Sequence, residues 1–309
     1  MKFPWHKKRT IRLYCCLLGL SFFFLSCFRV PDLIQRETRG PAAPVNNPIS
    51  GTGTVPELTS VPEPGPEQSG AEREIFIDDF WANSLGKADL PDDIRSGIIN
   101  SLGEGPDFVM ELLTILEGDP FLYILVDKQH SLDQNYVPED LAELGSDHFR
   151  VSREGLMLRR AAILSMETMA AAARTEGINL IAASAFRSWD YQAEVYNRNV
   201  REMGQTAADR ESARPGHSQH QLGLALDFFP IDDSFANTPA ALWLLKNSSR
   251  FGWSLSYPEA YEPITGYRWE SWHYRYLGPD LSSFTEKYFK GIQQYCLEFI
   301  SAWLEADNG

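Results

Sequence analysis

Arg214-Pro-Gly-His-Ser-Gln-His-Gln-Leu-Gly-Leu-Ala-Leu-Asp227 decides how the rest of this chain is read. Within fourteen residues it holds two histidines, a carboxylate, and the small and apolar residues that let a turn run into a buried strand. Gly223 to Phe229 reads as that strand, its Gly and Ala permitting close packing. His220 and Asp227 are candidate metal ligands. A third candidate lies downstream in Glu270-Ser-Trp-His273, where a histidine follows a carboxylate by three positions.

Those residue types match one chemistry. A hydrolytic zinc site takes three protein ligands and keeps one position open for a water whose pKa it lowers. His220, Asp227 and His273 make such a set, leaving a net positive centre, and Glu270 is the nearest unclaimed carboxylate to act as general base. On a regular strand residues 270 and 273 face opposite sides, so they converge only if Glu270 sits in a turn before the strand begins; nearby Gly266 suits that. A serine nucleophile is the rival reading, through Ser218 with His217 or His220. Gly216-His-Ser218-Gln-His220 lacks the second glycine of a nucleophile elbow, which weighs against it. A cysteine nucleophile is excluded because the region around the motif has no thiol.

Outward from the motif, Ile178 to Ala183 reads as a strand ending at Ser184-Ala-Phe-Arg187-Ser188, with Ser188 capping a helix to Gly204. Arg187 then sits exposed on the hinge between strand and helix. A lone arginine there is usually a surface ion pair; its place beside the motif segments favours ligand binding. Arg153 to Glu176 reads as a helix with Met166 and Met169 as core filler, and Gly177 as its left-handed cap. Phe121 to Val126 suits a buried strand or an entering segment, Tyr136 to Leu141 a turn feeding a short helix, and Gln205 to Arg214 a loop. Thr238-Pro239 opens a helix, and Phe251 to Tyr257 and Trp272 to Leu277 complete the strands. From Pro279 a C-terminal helix or pair carries an aromatic stripe of Phe284, Tyr288, Tyr295, Phe299 and Trp303, a packing face. With strands grouped late and helices around them, the fold class is α+β.

The 309 residues, 43% hydrophobic with eight Trp, can bury one large core. Five of the 28 basic residues precede residue 13, and all 42 acidic residues follow residue 26, leaving 23 basic against 42 acidic beyond the head. That balance excludes nucleic acid as a natural partner, so capture of a carboxylate falls to a specific Arg. The basic head runs into Leu13 to Phe28, sixteen uncharged residues in the layout of an export signal. Phe24-Leu25-Ser26-Cys27 ends it as a bacterial lipoprotein signal ends, with Cys27 the residue to be lipidated; an uncleaved anchor and an ordinary signal peptide share the layout. Removal of Cys15 and Cys16 and lipidation of Cys27 leave Cys296 alone, so no internal disulfide is expected. Residues 28–73 are rich in Pro, Gly, Thr, Ser and Glu and read as an extended tether; 74–120 read as a helical extension, 121–290 as the domain that carries the motifs, and 291–309 as a C-terminal helix.

Taken jointly, the motifs resemble a known family. Ser218-x-His220-x-x-Gly223-x-Ala225-x-Asp227 followed by Glu270-x-Trp272-His273 is similar to the zinc site of the VanY-type D-alanyl-D-alanine carboxypeptidases, within the group that includes lysostaphin and hedgehog. The likeness extends to Leu125-Val-Asp-Lys128, Tyr136-Val-Pro138, Ser184-x-x-Arg187-Ser188 with Gln192, Ala213-x-Pro215-Gly216, Phe251-Gly252 and Tyr257-Pro258, all in order over roughly residues 121 to 290. It implies a hedgehog/D-Ala-D-Ala peptidase-like zinc fold with a small antiparallel sheet and surrounding helices. His220, Asp227 and His273 would hold one Zn2+ and Glu270 would be the base. Arg187 would contact the substrate's carbonyl or terminal carboxylate, with Ser218, Ser184 and Gln192 on the substrate side. The implied substrate is a peptidoglycan stem peptide losing its terminal D-Ala at the cell envelope, with the membrane reached through the N-terminal lipid or anchor. L,D-carboxypeptidase or related peptide cleavage is the alternative within the group, and a silent wall-binding module the alternative outside it. Phe186 stands where tyrosine is usual and Gln219 where glutamate is common.

Overall fold

From its first described residues the chain is helical, because apolar residues recur there every three or four positions. The computed structural model describes residues 85–105, 107–145 and 149–307; the expected signal, Cys27, the tether and the start of the extension lie outside them. Helices α1 (Asp92–Glu104) and α2 (Asp107–Glu117) follow one another, α1 opening behind Pro91 with Asp92 and Asp93 in its first turn. The run at Phe121 forms no strand. It makes a 3-10 turn, Pro120–Tyr123, capped by Asp119 Oδ1 accepting from Phe121 N at 3.0 Å, then enters the fold extended.

The segment expected to open a short helix at Leu141 is instead strand β1 (Leu141–Glu143), and the first residues assigned to the long helix are its partner. After β2 (Arg150–Val151), strand β3 (Met157–Arg159) pairs antiparallel with β1, so helix α3 (Arg160–Thr175) starts seven residues later than its apolar period suggested. Its buried face carries Met166 and Met169, and Gly177 has φ 76° as its cap requires. Strand β4 (Ile181–Ser184) leads to α4 (Trp189–Met203), capped by Ser188 Oγ accepting from Tyr191 N at 3.2 Å. The expected loop after Gly204 is a helix, α5 (Gln205–Glu211).

The motif then delivers a 3-10 turn, Gln219–Leu222, and strand β5 (Ala225–Phe228). Gly223 joins them at φ 66°, and a Cβ there would lie 2.8 Å from Leu141 Cδ2 and 3.1 Å from Arg159 Cγ, so only glycine serves. Helix α6 (Pro239–Asn247), strand β6 (Trp253–Leu255), the single turn α7 (Glu262–Thr265), strand β7 (His273–Tyr276) and helices α8 (Pro279–Phe289) and α9 (Gln293–Asp307) complete the chain.

Five strands form one sheet in the order β2-β4-β5-β7-β6. Every pairing is antiparallel except the edge pair β2–β4, which is parallel. The α+β class and small sheet expected from the sequence are therefore present, with that one parallel edge. One core lies between α3 and the sheet and includes Leu158, Met166, Met169, Leu226, Phe228, Trp253 and Tyr274. A second core joins α1 and α2 to α8 and α9: Phe108 sits 4.7 Å from Tyr288 and 5.0 Å from Phe284, centroid to centroid, with Phe299 and Trp303 in the same cluster. The aromatic stripe of the C-terminal helices thus packs against the extension. Cys296 is buried and unbridged.

Candidate metal centre

Three neighbouring strands place the first side chains. Ser184 on β4, Asp227 on β5 and His273 on β7 are register partners in sequence across the sheet, so one pleat brings all three to one face. His220 reaches the same place from the 3-10 turn before β5, which Ser218 opens by accepting from His220 N at 3.3 Å. Glu270 precedes β7 in a turn, where His273 N donates to Glu270 O at 3.2 Å, so the strand-parity objection is met in the way anticipated.

The ligand atoms converge. His220 Nε2 lies 3.2 Å from Asp227 Oδ2, and His273 Nδ1 lies 3.1 Å from Asp227 Oδ1. The imidazoles meet edge to face with centroids 4.9 Å apart. All three residues are buried, at 3–4% exposure. Ligands held at about 2.0–2.2 Å by a tetrahedral zinc are themselves roughly 3.3–3.6 Å apart, so these spacings suit a single small cation. Among the described residues these three are the one His, Cys, Asp and Glu group able to hold a metal ion.

Hydrogen bonds made on the far sides of the rings favour the same conclusion. His220 Nδ1 is 2.7 Å from the Ala185 carbonyl, which can only accept, so Nδ1 carries the proton and Nε2 offers its lone pair toward Asp227. Asp227 Oδ1 is buried and accepts no hydrogen bond among the described residues, despite its closeness to His273 Nδ1. Lone pairs facing one another in a buried pocket fit a cation between them.

The electrostatics set the two rings apart. Burial pushes His220 down to about 4, keeping it neutral as a ligand must be. Burial would raise Asp227, but the two imidazoles outweigh it and hold the carboxyl well below its usual range. Burial would lower His273, but Asp227 and Glu270 overcome it and raise the ring to about 9. With no cation bound, the proton on His273 supplies the positive charge that Asp227 and Glu270 call for, and a metal ion binding Nδ1 would displace it. Glu270 is raised by burial, helped by Asp227, and its Oε2 stands 3.3 Å from His273 Nδ1.

Arg187 is not exposed, as its place on the hinge suggested, but turned inward at 17% side-chain exposure. Its Nη1 donates to Gln192 Oε1 at 2.8 Å and its Nη2 to Ser184 Oγ at 3.0 Å, while Nη2 lies 4.0 Å from Asp227 Oδ2. Gln192 Nε2 in turn donates to the Ala213 carbonyl at 2.6 Å. Arg187, Ser184 and Gln192 are therefore one bonded cluster beside the metal candidates, and Ser218 belongs to the turn that carries His220. The Tyr257 ring packs 4.8 Å from His273 and from Tyr267. Sequence reasoning gave no role to Gln219, Ser256 or Gln293, which hydrogen-bond around His273; the signal available was a glutamine on the apolar stripe of the last helix.

The family model of VanY, D-alanyl-D-alanine carboxypeptidase, matches residues 155–279. The YodJ chain of Bacillus subtilis (strain 168) is 32% identical over 196 residues, covering 59% of this chain and 72% of that one. The bifunctional D-Ala-D-Ala dipeptidase and D-Ala-D-Ala carboxypeptidase VanXYC of Enterococcus gallinarum is 30% identical over 168 residues, covering 50% of this chain and 82% of that one. The chain belongs to the VanY family. Membership makes it a carboxypeptidase, a hydrolase of peptide bonds. Among solved structures, a mutant of the vancomycin-resistance D,D-pentapeptidase VanY in complex with Zn(II) is 31% identical, with a TM-score of 0.48 over 58% of this chain and 99% of that one.

Proposed function

We propose that this VanY-family chain is a zinc-dependent D,D-carboxypeptidase that hydrolyses the terminal D-Ala from peptidoglycan stem peptides. The observation that carries the reading is the convergence of His220 Nε2, His273 Nδ1 and the Asp227 carboxylate, with Glu270 Oε2 3.3 Å from that same Nδ1. The donor set, two imidazoles and one carboxylate, fits Zn2+. When bound there, zinc polarises the scissile carbonyl and acidifies the attacking water.

The chain's own residues do the rest. Glu270, its proton affinity raised by burial, takes a proton from the water and returns it to the leaving amine nitrogen. Arg187, held by Ser184 and Gln192, offers a fixed guanidinium for the terminal carboxylate of the substrate or the charge developing beside it. Ser218 fixes the turn that carries His220. The presence of all three ligands and a base supports an enzyme over a silent wall-binding module.

Export and anchoring through the N-terminal segment are part of the proposal. They rest on the basic head, the apolar run and Cys27, followed by residues 28–73 as a tether that gives the catalytic part reach. No helix among the described residues is long and apolar enough to cross a membrane. Incubation of the purified protein with defined pentapeptide and tetrapeptide stems tests the substrate: D-Ala is released from the pentapeptide. Release from the tetrapeptide alone would replace this reading with L,D-carboxypeptidase action.

A further inference from the structure

One chain of hydrogen bonds leads away from the metal candidates and ends on a different part of the protein. His273 Nε2 lies 3.3 Å from Gln219 Oε1; Ser256 Oγ lies 2.8 Å from that same oxygen; Gln293 Nε2 lies 3.0 Å from Ser256 Oγ and 3.2 Å from the Ser254 carbonyl. The four side chains are buried, at 1–4% exposure. They come from β7, the 3-10 turn before β5, the end of β6 and the first turn of α9. We propose that Gln293, Ser256 and Gln219 form a relay that fixes the tautomer of His273, with Gln219 the positioning residue that makes Nδ1, not Nε2, the metal-binding atom. The proposal rests on reading His273 as a zinc ligand.

The direction of the relay follows from its last member. The Ser254 carbonyl only accepts, so the Gln293 atom facing it is the amide nitrogen. That nitrogen also donates to Ser256 Oγ, which leaves the serine proton to go to Gln219. Gln219 therefore presents its carbonyl oxygen, an acceptor, and the same oxygen takes the Nε2 proton of His273. With Nε2 protonated, the free lone pair is on Nδ1, the atom that faces Asp227 and Glu270. The Ser254 carbonyl and the Gln293 amide nitrogen act in one way only, and the Ser256 hydroxyl, able to donate and to accept, is turned by that nitrogen toward Gln219. A backbone carbonyl on β6, reached through the first turn of α9, thus decides which nitrogen of an imidazole binds metal. As a neutral amide, Gln219 accepts these bonds without adding a further negative charge beside Asp227 and Glu270.

The test is the zinc dissociation constant of the purified full-length chain, read by competition with a chromophoric chelator and independent of turnover. Gln219→Ala weakens zinc about 10- to 100-fold, the usual cost of losing an outer partner of a ligating histidine. Gln219→Glu, which keeps both acceptor contacts and adds negative charge, binds zinc at least as tightly as the wild type. Ser256→Ala and Gln293→Ala weaken it less, and Gln293→Ala has no further effect in the Gln219→Ala background, because the two act through one path. A wild-type protein that binds zinc while Gln219→Ala and Ser256→Ala bind it equally well overturns the relay; so does a Gln219→Glu protein as weak as Gln219→Ala. A wild-type protein that takes up no zinc defeats the metal reading itself, a separate result. If Gln219→Ala does not fold, Ser256→Ala against Gln219→Glu decides the matter.

Discussion

Asp227 on β5 and His273 on β7 are direct register partners, with Oδ1 and Nδ1 3.1 Å apart. Two of three candidate ligands are thereby positioned by the sheet itself and not by loops. A one-residue slip of β7 would send His273 to the opposite face. The site is as rigid as the pairing of two central, buried strands.

Glu270 tests the assignment of the base. Glu270→Ala is expected to retain zinc, since Glu270 is not in the ligand set, and to lose about 10²–10⁴ in kcat, the usual worth of a general base. Metal analysis together with D-Ala release separates the two effects. A variant that keeps its zinc and hydrolyses at the wild-type rate would sink the mechanism.

His220→Ala should behave differently. Removing one of three buried ligands leaves a two-ligand site, so the variant loses zinc along with activity. Chelator treatment of the wild type reproduces that loss, and added Zn2+ restores the wild type but not the variant. Metal content measured after desalting is the check.

Arg187 is bonded through two nitrogens to Gln192 and Ser184, so its fork is preorganised. Arg187→Lys keeps the charge and loses the planar, bidentate geometry. kcat/KM should fall by more than about tenfold for peptides with a free terminal carboxylate, while zinc content stays unchanged. Equal kinetics for Arg187→Lys and wild type would assign the residue to structure alone.

Stability toward acid depends on Asp127. Its buried carboxylate accepts from the backbone N–H groups of Gln129 and His130 and from Gln294 Nε2, each at 2.8 Å, with His130 Nδ1 also at 2.8 Å. Burial would raise its pKa, but these bonds outweigh it and lower it. A depressed folded-state pKa contributes stability above the unfolded value, near about 4, and loses it as pH falls through the folded value. Asp127→Asn must turn an amide N–H toward one set of donors, so it is expected to cost about 1–3 kcal/mol at about pH 7. Below about pH 4 the gap to wild type should narrow. Denaturant unfolding at both pH values measures it; a constant gap would refute the linkage.

The grouping of His220, Asp227 and His273, the place of Glu270 in a turn before its strand, and the strand-to-helix hinge at Ser188 were all legible from residue types and their spacing. What escaped the sequence was set by contacts at a distance. Met157–Arg159 has the apolar period of the helix that follows it, yet pairs with Leu141–Glu143, and three-residue strands are too short to display alternation. Gln205–Glu211 buries only Ala208, so it has no periodic signal; Asp209, which accepts from Tyr196 and Arg214, ties the region together. Arg187 read as exposed because a strand-to-helix hinge usually faces solvent; Ser184 and Gln192, three residues before it and five after, hold its guanidinium inward.

The second core carries a practical lesson about where this enzyme begins and ends. The family match stops at residue 279, but Phe284, Tyr288 and Phe299 pack with Phe108 beyond both of its limits, and Gln293 reaches back to Ser256. Cutting an expression clone to the matched span would strip away a shared aromatic cluster and the anchor of the last helix at once. The minimal unit worth purifying spans the head and tail helices together, since each is the other's shelter from water.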